Sequence, residues 1–405
     1  MSDRFARARQ TFPALHDRVF LDAACLSVVS NPVYDAVKNF LDLCRHPDAK
    51  DASRQHIEMD RIRNRAVREA ARLLNADPDE IALVESTTHG LNIAANSIPL
   101  SRGDRILIAD TEYLQVAIPW KMKERSVGVE IVPVRSRDNG VLVPEDFERA
   151  MDERTRVLCV SSVQWCTGYR IDLAALSRLC RDRGVYLVVD AIQEMGACPI
   201  DVKATPVDFL TAGGHKWLNA PFGCGMLYVA RKNVEALEPP MYGYLALEEP
   251  EGGWGAYFQT PDITPFCEWH FQNTAKKFEI AGTSNYPGAA GLGASLAQIN
   301  ELGIEEIYRH IQRLTRRLHE ELRKLGASVV SATEPASARS GITVFNVFPT
   351  VDENRALMQA LLNERIFVAM RYTAHIGGIR VSTHFFNNDD DIDRLIFAIR
   401  KQLSR

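Results

Sequence analysis

Short apolar segments alternate with amphipathic segments between about residues 80 and 230 of the chain. Apolar, often β-branched runs of this length are typical of strands, and here they are IALVES (81–86), RILIAD (105–110), VEIVPV (129–134), RVLCVSSV (156–163), YLVVDA (186–191), DFLTAG (208–213) and GMLYV (225–229). Helical patterns separate most of them, and the pattern of residues 173–184 ends at Gly184, as helices commonly do. The alternation predicts an α/β domain whose mainly parallel sheet is flanked by helices.

The pattern changes after about residue 231. Residues 232–285 are rich in glycine, proline and aromatic residues, which predicts a long loop with a functional or interfacial role. Residues 288–326 have the apolar period of two long helices broken near Gly303. Strand and helix patterns then alternate up to a final helix from Asp389, so we expect a smaller α+β domain here.

The chain length also indicates two domains. Its 405 residues exceed what one ordinary core accommodates. We expect a large domain over residues 21–287, and a small domain formed by residues 1–20 together with residues 288–405.

Composition and charge narrow the class of protein. Apolar residues make up 46% and charged residues 25%, as in soluble globular proteins. The net charge of -4 gives no electrostatic reason to expect nucleic acid or an anionic membrane as a partner. The polar N-terminus and the absence of a long apolar run predict neither a secretory signal nor a membrane span. The eight cysteines are scattered without a CxxC pair, which predicts a cytoplasmic protein with reduced thiols and no metal site.

Polar residues follow most of the predicted strands at the point where each strand ends. Ligands of open parallel sheets bind beyond the carboxyl ends of the strands, and the residues there are 86–90 (STTHG), 110–113 (DTEY), 161–168 (SSVQWCTG), 190–193 (DAIQ) and 213–216 (GGHK). They include hydroxyls, a carboxylate, an amide, an aromatic ring and a lysine. A cofactor that carries a phosphate, a cationic ring nitrogen and an aldehyde would use all of them.

Three of these residues have a chemical and a structural interpretation each. Lys216 follows two glycines, and its amine can form an imine with a carbonyl cofactor and later act as a base; alternatively it is a surface lysine. Asp190 closes an apolar strand and can pair with a protonated pyridine nitrogen, or it caps a helix. Gln193 can donate to a cofactor phenolate, or it completes a capping box.

The remaining candidates also have two interpretations each. The hydroxyls of STTHGLN (86–92) lie at a strand-to-helix turn that favours a phosphate, and Ser86 or Thr87 can equally cap the helix. The ring of Tyr113 can stack on a flat cofactor ring or pack against the sheet edge. Arg380 opens an alternating strand and can bind a substrate carboxylate or form a structural ion pair.

Taken together and in this order, these motifs resemble the fold-type I pyridoxal-phosphate (PLP) enzymes of the class V aminotransferase group. That group includes cysteine desulfurases, selenocysteine lyase, isopenicillin-N epimerase and kynureninase. The resemblance extends over nearly the whole chain, from FLDAACLS (20–27) to RVSTHFFNNDDDIDRL (380–395). It implies PLP as the cofactor and a large PLP-binding domain.

The resemblance also implies a role for each matching residue. Lys216 and Asp190 would be catalytic, the first as the Schiff-base lysine and the second as the partner of the pyridine nitrogen. The other implied contacts are Gln193 to the phenolic oxygen, Tyr113 stacked over the ring, Thr87, Thr88 and His215 to the phosphate, Thr283 to the phosphate across a homodimer interface, and Arg380 to the substrate carboxylate. Cys25 and Trp165 are further candidates for the substrate pocket.

Departures from the family pattern bear on the reaction. Cysteine desulfurases carry a nucleophilic cysteine shortly before the carboxylate-binding arginine, whereas FVAMRYTAHIGGIR (367–380) has none, which disfavours persulfide-forming desulfuration. Gly213 replaces a common phosphate-binding serine, and Trp165 stands where desulfurases often have asparagine. SVQWCTGYRID (162–172) is similar to kynureninase instead.

The resemblance therefore implies a PLP-dependent enzyme acting at the α- or β-carbon of a small amino-acid substrate. It would act through an external aldimine and a carbanion, by transamination or by C–S/β-elimination. The alternatives are an epimerase or racemase, a kynureninase-like hydrolase, and a PLP-binding regulator without turnover. His375, Tyr372, Trp254 and Cys25 are candidates for a second proton donor or a pocket wall. We expect a homodimer with the active site shared across its interface.

Overall fold

The computed structural model describes residues 3–47, 49 and 51–404. Its strands, in chain order, are β1 (Val19–Phe20), β2 (Ile81–Val84), β3 (Arg105–Ala109), β4 (Glu130–Val134), β5 (Thr155–Ser161), β6 (Tyr186–Asp190), β7 (Phe209–Gly213), β8 (Gly225–Val229), β9 (Ser328–Val329), β10 (Ile342–Asn346), β11 (Ile366–Phe367), β12 (Ala369–Thr373) and β13 (Ile376–Ser382). Its α-helices are α1 (Asp3–Gln10), α2 (Asn31–Arg45), α3 (Ala52–Leu74), α4 (Thr87–Ser97), α5 (Leu114–Ser126), α6 (Pro144–Ala150), α7 (Leu173–Arg183), α8 (Arg231–Ala236), α9 (Gly253–Tyr257), α10 (Tyr286–Leu302), α11 (Ile304–Lys324), α12 (Val351–Asn363) and α13 (Asp389–Leu403).

The large sheet confirms the predicted α/β class. Its strands run in the order β2-β8-β7-β6-β5-β3-β4, and all of the seven predicted strand segments take part. Only β8 runs antiparallel to its neighbours β2 and β7 within this sheet. The link between β7 and β8 contains no helix, and a short link of this kind returns the chain in the opposite direction, because a parallel strand needs a longer crossover.

A second, smaller sheet has the order β12-β13-β10-β9 and is antiparallel. Helix α11 packs Leu314, Leu318 and Leu322 into the core of this part, together with residues of α12 and α13. The predicted pair of long helices is confirmed, and Gly303 separates them with a φ of +80°. The small α+β part therefore matches the sequence pattern, while the exact boundaries at residues 20/21 and 287/288 stay a prediction.

Two segments differ from the sequence expectation. The predicted loop at residues 232–285 contains part of α8 and the short helix α9, where Trp254 contacts Tyr244 and Phe258. The last strand ends at Ser382 rather than continuing through GIRVSTHFF, because Phe385 and Phe386 turn into the apolar core instead of alternating across the sheet.

Close packing of α4 against β7 brings two predicted site segments together. A Cβ atom at Gly90 would lie 2.1 Å from Oγ1 of Thr211, so only glycine allows this approach. The N-terminus of α4 therefore lies beside the chain that leaves β7 toward Lys216. No helix in the described part of the chain is long and apolar enough to cross a membrane.

Candidate active site

A cavity of about 430 Å³ lies at the carboxyl ends of the central strands, and its volume is in the range of small-ligand pockets. The residues that line it are Ala24, Cys25, Ser86, Thr87, Thr88, Tyr113, Gln115, Trp165, Asp190, Ile192, Gln193, His215, Lys216, Arg371 and Arg380. This set contains every residue predicted to contact the cofactor or to bind the substrate except Thr283. The fold thus brings together side chains from segments that are more than 350 residues apart in the sequence.

Lys216 and Asp190 form the charged centre of the cavity. Lys216 is half-buried, and desolvation lowers the pKa of its amine to about 8, against the opposing effect of Asp190. Asp190 is buried, and desolvation raises the pKa of its carboxyl to about 6. An amine with this pKa loses its proton more readily than an exposed lysine, which suits both imine formation and proton abstraction.

A tight turn fixes the backbone just before Lys216. A Cβ atom at Gly214 would lie 2.9 Å from Cβ of Ala220 and 3.0 Å from the carbonyl oxygen of Cys224. The backbone N–H of Gly214 donates to that same carbonyl across 2.8 Å. Glycine is therefore required for the lysine to leave β7 at this angle.

Asp190 and Gln193 are not parts of a helix cap. The segment that follows β6 forms turns, and Oδ1 of Asp190 accepts from the backbone N–H of Ile192 across 2.9 Å. Oδ2 of Asp190 has no hydrogen-bond partner among the described residues, which leaves it available to a cationic ring nitrogen. The helix-cap and capping-box interpretations are wrong because hydrogen-bonded turns over residues 192–197 stand where a helix would have to begin.

Two hydrogen bonds fix the side-chain amide of Gln193. Its Nε2 donates to the carbonyl oxygen of Ala24 across 3.1 Å, and its Oε1 accepts from Nε1 of Trp217 across 2.8 Å. One proton of the amide group remains for a ligand in the cavity. Gln193 therefore lines the cavity in a fixed orientation, and its contact to a phenolic oxygen stays a prediction.

The hydroxyl-rich end of the cavity coincides with the start of α4. Ser86 is the N-cap of this helix, and its Oγ accepts from the backbone N–H of His89 across 3.2 Å. Oγ1 of Thr87 accepts from the N–H of Gly213 across 2.8 Å, and Oγ1 of Thr88 accepts from Nε2 of Gln115, also across 2.8 Å. Each threonine hydroxyl still has its own proton to donate, so both can bind a phosphate beside the free amides of the helix.

Aromatic rings form one wall of the cavity. The ring of Tyr113 is 43% exposed, and its centroid is 5.9 Å from Nζ of Lys216. Trp165 meets Tyr113 edge-on, with 5.3 Å between the ring centroids, and its Nε1 donates to the carbonyl oxygen of Thr111. His215 lies at the same level and stacks on Phe222. A flat ring bonded to Lys216 has an aromatic surface to lie on.

Arg380 is both an ion-pair partner and a cavity residue. Its side chain is 2% exposed, one terminal nitrogen donates to Oδ1 of Asp22 across 3.2 Å, and the other donates to the carbonyl oxygen of Trp165 across 2.9 Å. Its Nε is buried without a partner in the described residues. A carboxylate ligand would give this N–H the acceptor that it lacks.

Several predicted residues lie outside the cavity. Thr283 is exposed on the surface of the single chain. Tyr372 and Trp254 are half-buried elsewhere, and His375 is exposed at the turn between β12 and β13. Of the four candidates for a second proton donor, only Cys25 reaches the cavity, where its sulfur accepts from Arg371 at 3.5 Å.

Sequence reasoning missed three charged residues near the cavity, namely Asp22, Glu112 and Arg371. Glu112 is buried and accepts from the backbone N–H and hydroxyl of Ser161 and from Nε2 of Gln164. Burial raises the pKa of Glu112 to about 7. Its position in DTEY beside Tyr113 was the available signal.

The donor set fits PLP. A buried carboxylate with one free oxygen suits the ring nitrogen, a helix N-terminus with two threonines suits the phosphate, and a lysine of lowered pKa suits the aldehyde. The fold and the site together therefore define a PLP-dependent enzyme of fold type I.

The chain belongs to the class V aminotransferase family, whose model ("Aminotransferase class-V") matches residues 19–395. Pyridoxal phosphate is accordingly its cofactor. A cysteine desulfurase of Klebsiella pneumoniae (strain 342) is 30% identical over 419 residues, covering 98% of this chain and 97% of the relative.

Two solved structures share the fold. The apo structure of a cysteine desulfurase from Thermococcus onnurineus NA1 has a TM-score of 0.85 at 22% identity and covers 98% of both chains. A complex of the cystine C–S lyase C-DES with its reaction product cysteine persulfide has a TM-score of 0.83 at 23% identity, covering 95% of this chain and 98% of that one. These likenesses support the fold described above.

Proposed function

We propose that the protein is a C–S lyase that removes a sulfur-containing group from the β-carbon of an amino acid by β-elimination. The relatives named cysteine desulfurase support cleavage at a carbon–sulfur bond. The observation that carries the elimination route is the β12–β13 hairpin, where residues 367–380 contain no cysteine to receive sulfur. The sulfur therefore departs on the leaving group of the substrate and is not transferred to a cysteine of this hairpin.

The residues of the cavity have different roles in this reaction. Bound PLP supplies an electron sink for the negative charge that develops at the substrate Cα. Asp190 holds the positive charge on the ring nitrogen, and Thr87, Thr88 and His215 hold the phosphate. Lys216 removes the Cα proton, and its pKa of about 8 gives it a larger neutral fraction near neutral pH than a solvent-exposed lysine has.

Arg380 orients the substrate through its α-carboxylate. Its guanidinium is fixed by Asp22 and by the carbonyl oxygen of Trp165, so little side-chain entropy is lost on binding. Arg380 and Lys216 line the same cavity, so a substrate anchored at Arg380 is held in the cavity that contains the base. The hydroxyl protons and guanidinium of the site are thus arranged before the substrate arrives.

The products distinguish this reaction from its competitors. Elimination breaks the Cβ–S bond, and addition of one water yields pyruvate, ammonia and the released thiol or persulfide. Desulfuration would instead leave alanine, and transamination would leave a keto acid without free ammonia.

The test uses the full-length protein loaded with PLP and incubated separately with L-cystine and L-cysteine. We expect equal amounts of pyruvate and ammonia, no alanine, and no product with Lys216→Ala, which also loses the visible absorbance of bound PLP. Alanine as the main product would overturn the elimination proposal.

A cysteine pair supplies the matched control. Cys25 lines the cavity, whereas Cys267 is exposed on the surface. Two results together would identify Cys25 as a sulfur acceptor and the protein as a desulfurase. The wild type would form alanine, and Cys25→Ser would abolish sulfur release while Cys267→Ser would not. Pyruvate formation that survives Cys25→Ser supports elimination.

We also propose a homodimer that completes the phosphate site with Thr283. Thr283 is exposed and lies outside the cavity of its own chain, and three large aromatic residues are also exposed: Phe222, Tyr242 and Phe266. Exposed apolar surface of this kind marks an interaction site. Sedimentation equilibrium should give twice the chain mass, and Thr283→Ala should weaken PLP binding; a monomer contradicts both.

The predicted cytoplasmic location is retained as part of this proposal. All eight cysteines are unpaired, and two of them, Cys44 and Cys267, are exposed thiols that suit a reducing compartment. Fractionation of cells expressing the tagged full chain checks it.

A further inference from the structure

The loop that carries Lys216 packs against a buried histidine of the small α+β part. We propose that His384 is a positioning residue for Lys216, because it holds the backbone of this loop through the carbonyl oxygen of Trp217. The inference rests on the proposed role of Lys216 as the residue that bonds PLP and acts as the base. It goes beyond the elimination reaction, since it does not depend on which bond of the substrate breaks.

His384 is fully buried and meets the lysine loop (residues 214–224) through one ring nitrogen. Its Nε2 is 2.9 Å from the carbonyl oxygen of Trp217 and 3.1 Å from the side-chain amide of Asn219. A carbonyl oxygen can only accept, so Nε2 carries the proton and donates it to Trp217. The ring of His384 also packs edge-on against the indole of Trp217, with 5.2 Å between the centroids.

Four consecutive carbonyl oxygens of the lysine loop and its entry, those of residues 215–218, each have a hydrogen-bond donor. The donors are, in order, the backbone N–H of Ser27, the backbone N–H of Asn219, Nε2 of His384 and the hydroxyl of Ser295. A substitution that removes the donor at His384 therefore leaves a buried carbonyl oxygen unpaired directly after Lys216.

The other ring nitrogen keeps His384 uncharged. Nδ1 is buried and has no hydrogen-bond partner among the described residues, so a second proton would have no acceptor. Desolvation accordingly lowers the pKa of His384 to about 3. His384 is therefore a neutral donor at neutral pH, and it supports the loop without adding a buried cation.

The segment that contains His384 also carries the proposed substrate anchor, because His384 follows Arg380 by four residues. The N–H of Thr383 donates to the carbonyl oxygen of Gly341 across 2.8 Å. A Cβ atom at Gly341 would lie 2.6 Å from Cη2 of Trp217, so the indole packs directly on this backbone. These contacts fix the loop that carries the base relative to the strand that carries Arg380.

A purely structural role for His384 predicts a different result from a positioning role. The ring also contacts Phe385 and Phe386, at centroid distances of 4.5 and 5.0 Å, so its loss weakens the core in either case. If His384 positions the loop, however, its loss also lets the amine of Lys216 move toward solvent. Because desolvation lowers the pKa of this amine, the pKa then rises toward its ordinary value.

Two substitutions separate the hydrogen bond from the ring. The side-chain N–H of glutamine can reach the position of Nε2, whereas that of asparagine lies near the position of Nδ1, where no partner exists. Both substitutions remove the aromatic ring, so both lose its packing. His384→Gln should keep the bond to Trp217, and His384→Asn should lose it.

The first measurement determines the pKa of Lys216 in the full-length protein freed of PLP, from the pH dependence of its acetylation rate by mass spectrometry. The wild-type midpoint is expected at about pH 8. His384→Asn should move it toward about 10.4, the value of an exposed lysine, and His384→Gln should leave it near the wild-type value. Both variants retain the charged and titratable groups around the amine, namely Asp190, Arg380, Cys25 and Asp22.

The second measurement uses the PLP-loaded protein. The visible absorbance of bound PLP gives its affinity, which should fall about 10- to 100-fold in His384→Asn, the effect of one lost hydrogen bond to a buried acceptor. His384→Gln should recover most of this loss.

His319 supplies the matched control. It is also buried in the small α+β part, and its Nε2 lies 3.0 Å from the hydroxyl of Thr343, outside the cavity. His319→Asn should lower the free energy of unfolding without changing the Lys216 midpoint or the affinity for PLP. A midpoint that is unchanged in His384→Asn, or that moves equally in His384→Asn and His384→Gln, would overturn the inference.

Asn219→Gly provides the test if His384→Asn does not fold. It removes the amide beside Nε2 of His384 and retains the left-handed backbone, where φ is +50°. It should raise the Lys216 midpoint, whereas Asn139→Gly, at a φ of +58° in another turn, should not. An unchanged midpoint in Asn219→Gly would then count against the inference.

Lys216→Ala distinguishes failure of this inference from failure of the proposed function. Visible absorbance of bound PLP that persists in Lys216→Ala would refute the assignment of Lys216 and the inference with it. Alanine as the main product of the wild type would refute only the elimination reaction, and the role of His384 would stand.

Discussion

The indole Nε1 of Trp217 donates a hydrogen bond to Oε1 of Gln193 across 2.8 Å. This bond joins the loop that carries Lys216 to the turn that begins at Asp190. Both side chains are buried, so neither atom has water as an alternative partner. The relative position of the amine and the carboxylate therefore depends in part on this contact.

Trp217→Phe should lower the free energy of unfolding by about 1–3 kcal/mol, because Gln193 then keeps a buried acceptor without a donor. Urea denaturation of the PLP-free protein measures this, and the affinity for PLP should fall in parallel.

Trp120→Phe is the control for ring size, since Trp120 is buried and its Nε1 meets no oxygen or nitrogen acceptor in the described part of the chain. The hydrogen-bond explanation fails if both substitutions reduce PLP affinity equally.

Asp190→Asn should lower kcat by about 10²–10⁴-fold, because a neutral amide cannot stabilise positive charge on the ring nitrogen. The amide oxygen can still accept from the N–H of Ile192, so the turn itself should persist. Steady-state kinetics of pyruvate release checks the prediction. Asp182→Asn, an exposed change on α7, should leave kcat unaltered, and retention of more than half the activity in Asp190→Asn would contradict the assigned role.

Glu112 should make stability depend on pH. Burial raises the pKa of its carboxyl to about 7 in the folded protein, so the folded state holds a proton that the unfolded chain releases at lower pH. The stability that this protonation provides is complete below the ordinary carboxyl pKa and is lost as the pH rises through about 7.

Glu112→Gln does not titrate, so its stability relative to the wild type should rise by about 3–4 kcal/mol between acidic and mildly alkaline pH. Urea unfolding of both proteins across this range measures the difference. Glu148→Gln, at an exposed ion pair, should show no such trend, and parallel curves for Glu112→Gln and the wild type would count against the prediction.

Arg63→Met should destabilise the protein by about 3–5 kcal/mol, because it leaves the buried carboxylate of Glu279 unpaired. Oε1 of Glu279 also accepts from the backbone N–H of Leu83 across 2.8 Å, which connects α3, β2 and the segment that precedes Thr283. Thermal unfolding gives the loss directly.

Arg61→Met tests an exposed ion pair of the same helix, formed with Glu58, and should change stability by less than about 0.5 kcal/mol. The double change Arg63→Met with Glu279→Gln should recover much of the loss, because no charge is then left buried. Failure of this recovery would show that the arginine stabilises the helix by packing rather than by charge.

The sequence by itself determined the alternation of strands and helices and the residues that end each strand. These follow from local periodicity and from the chemistry of single side chains, both of which a linear pattern preserves. Lys216, Asp190 and the threonines of α4 could be proposed from the sequence, because strand ends of a parallel sheet meet at one edge.

Only the tertiary structure decided which side chains share the cavity from separate segments. Arg371, Asp22 and Trp217 are distant from one another along the chain, and their contacts depend on strand register and loop packing, which no local pattern encodes. The same reason explains why the helix cap that the sequence left open as an alternative at Asp190 is absent: Gln193, three residues later, is held by Trp217 and Ala24, and tertiary contacts override the local preference of the sequence.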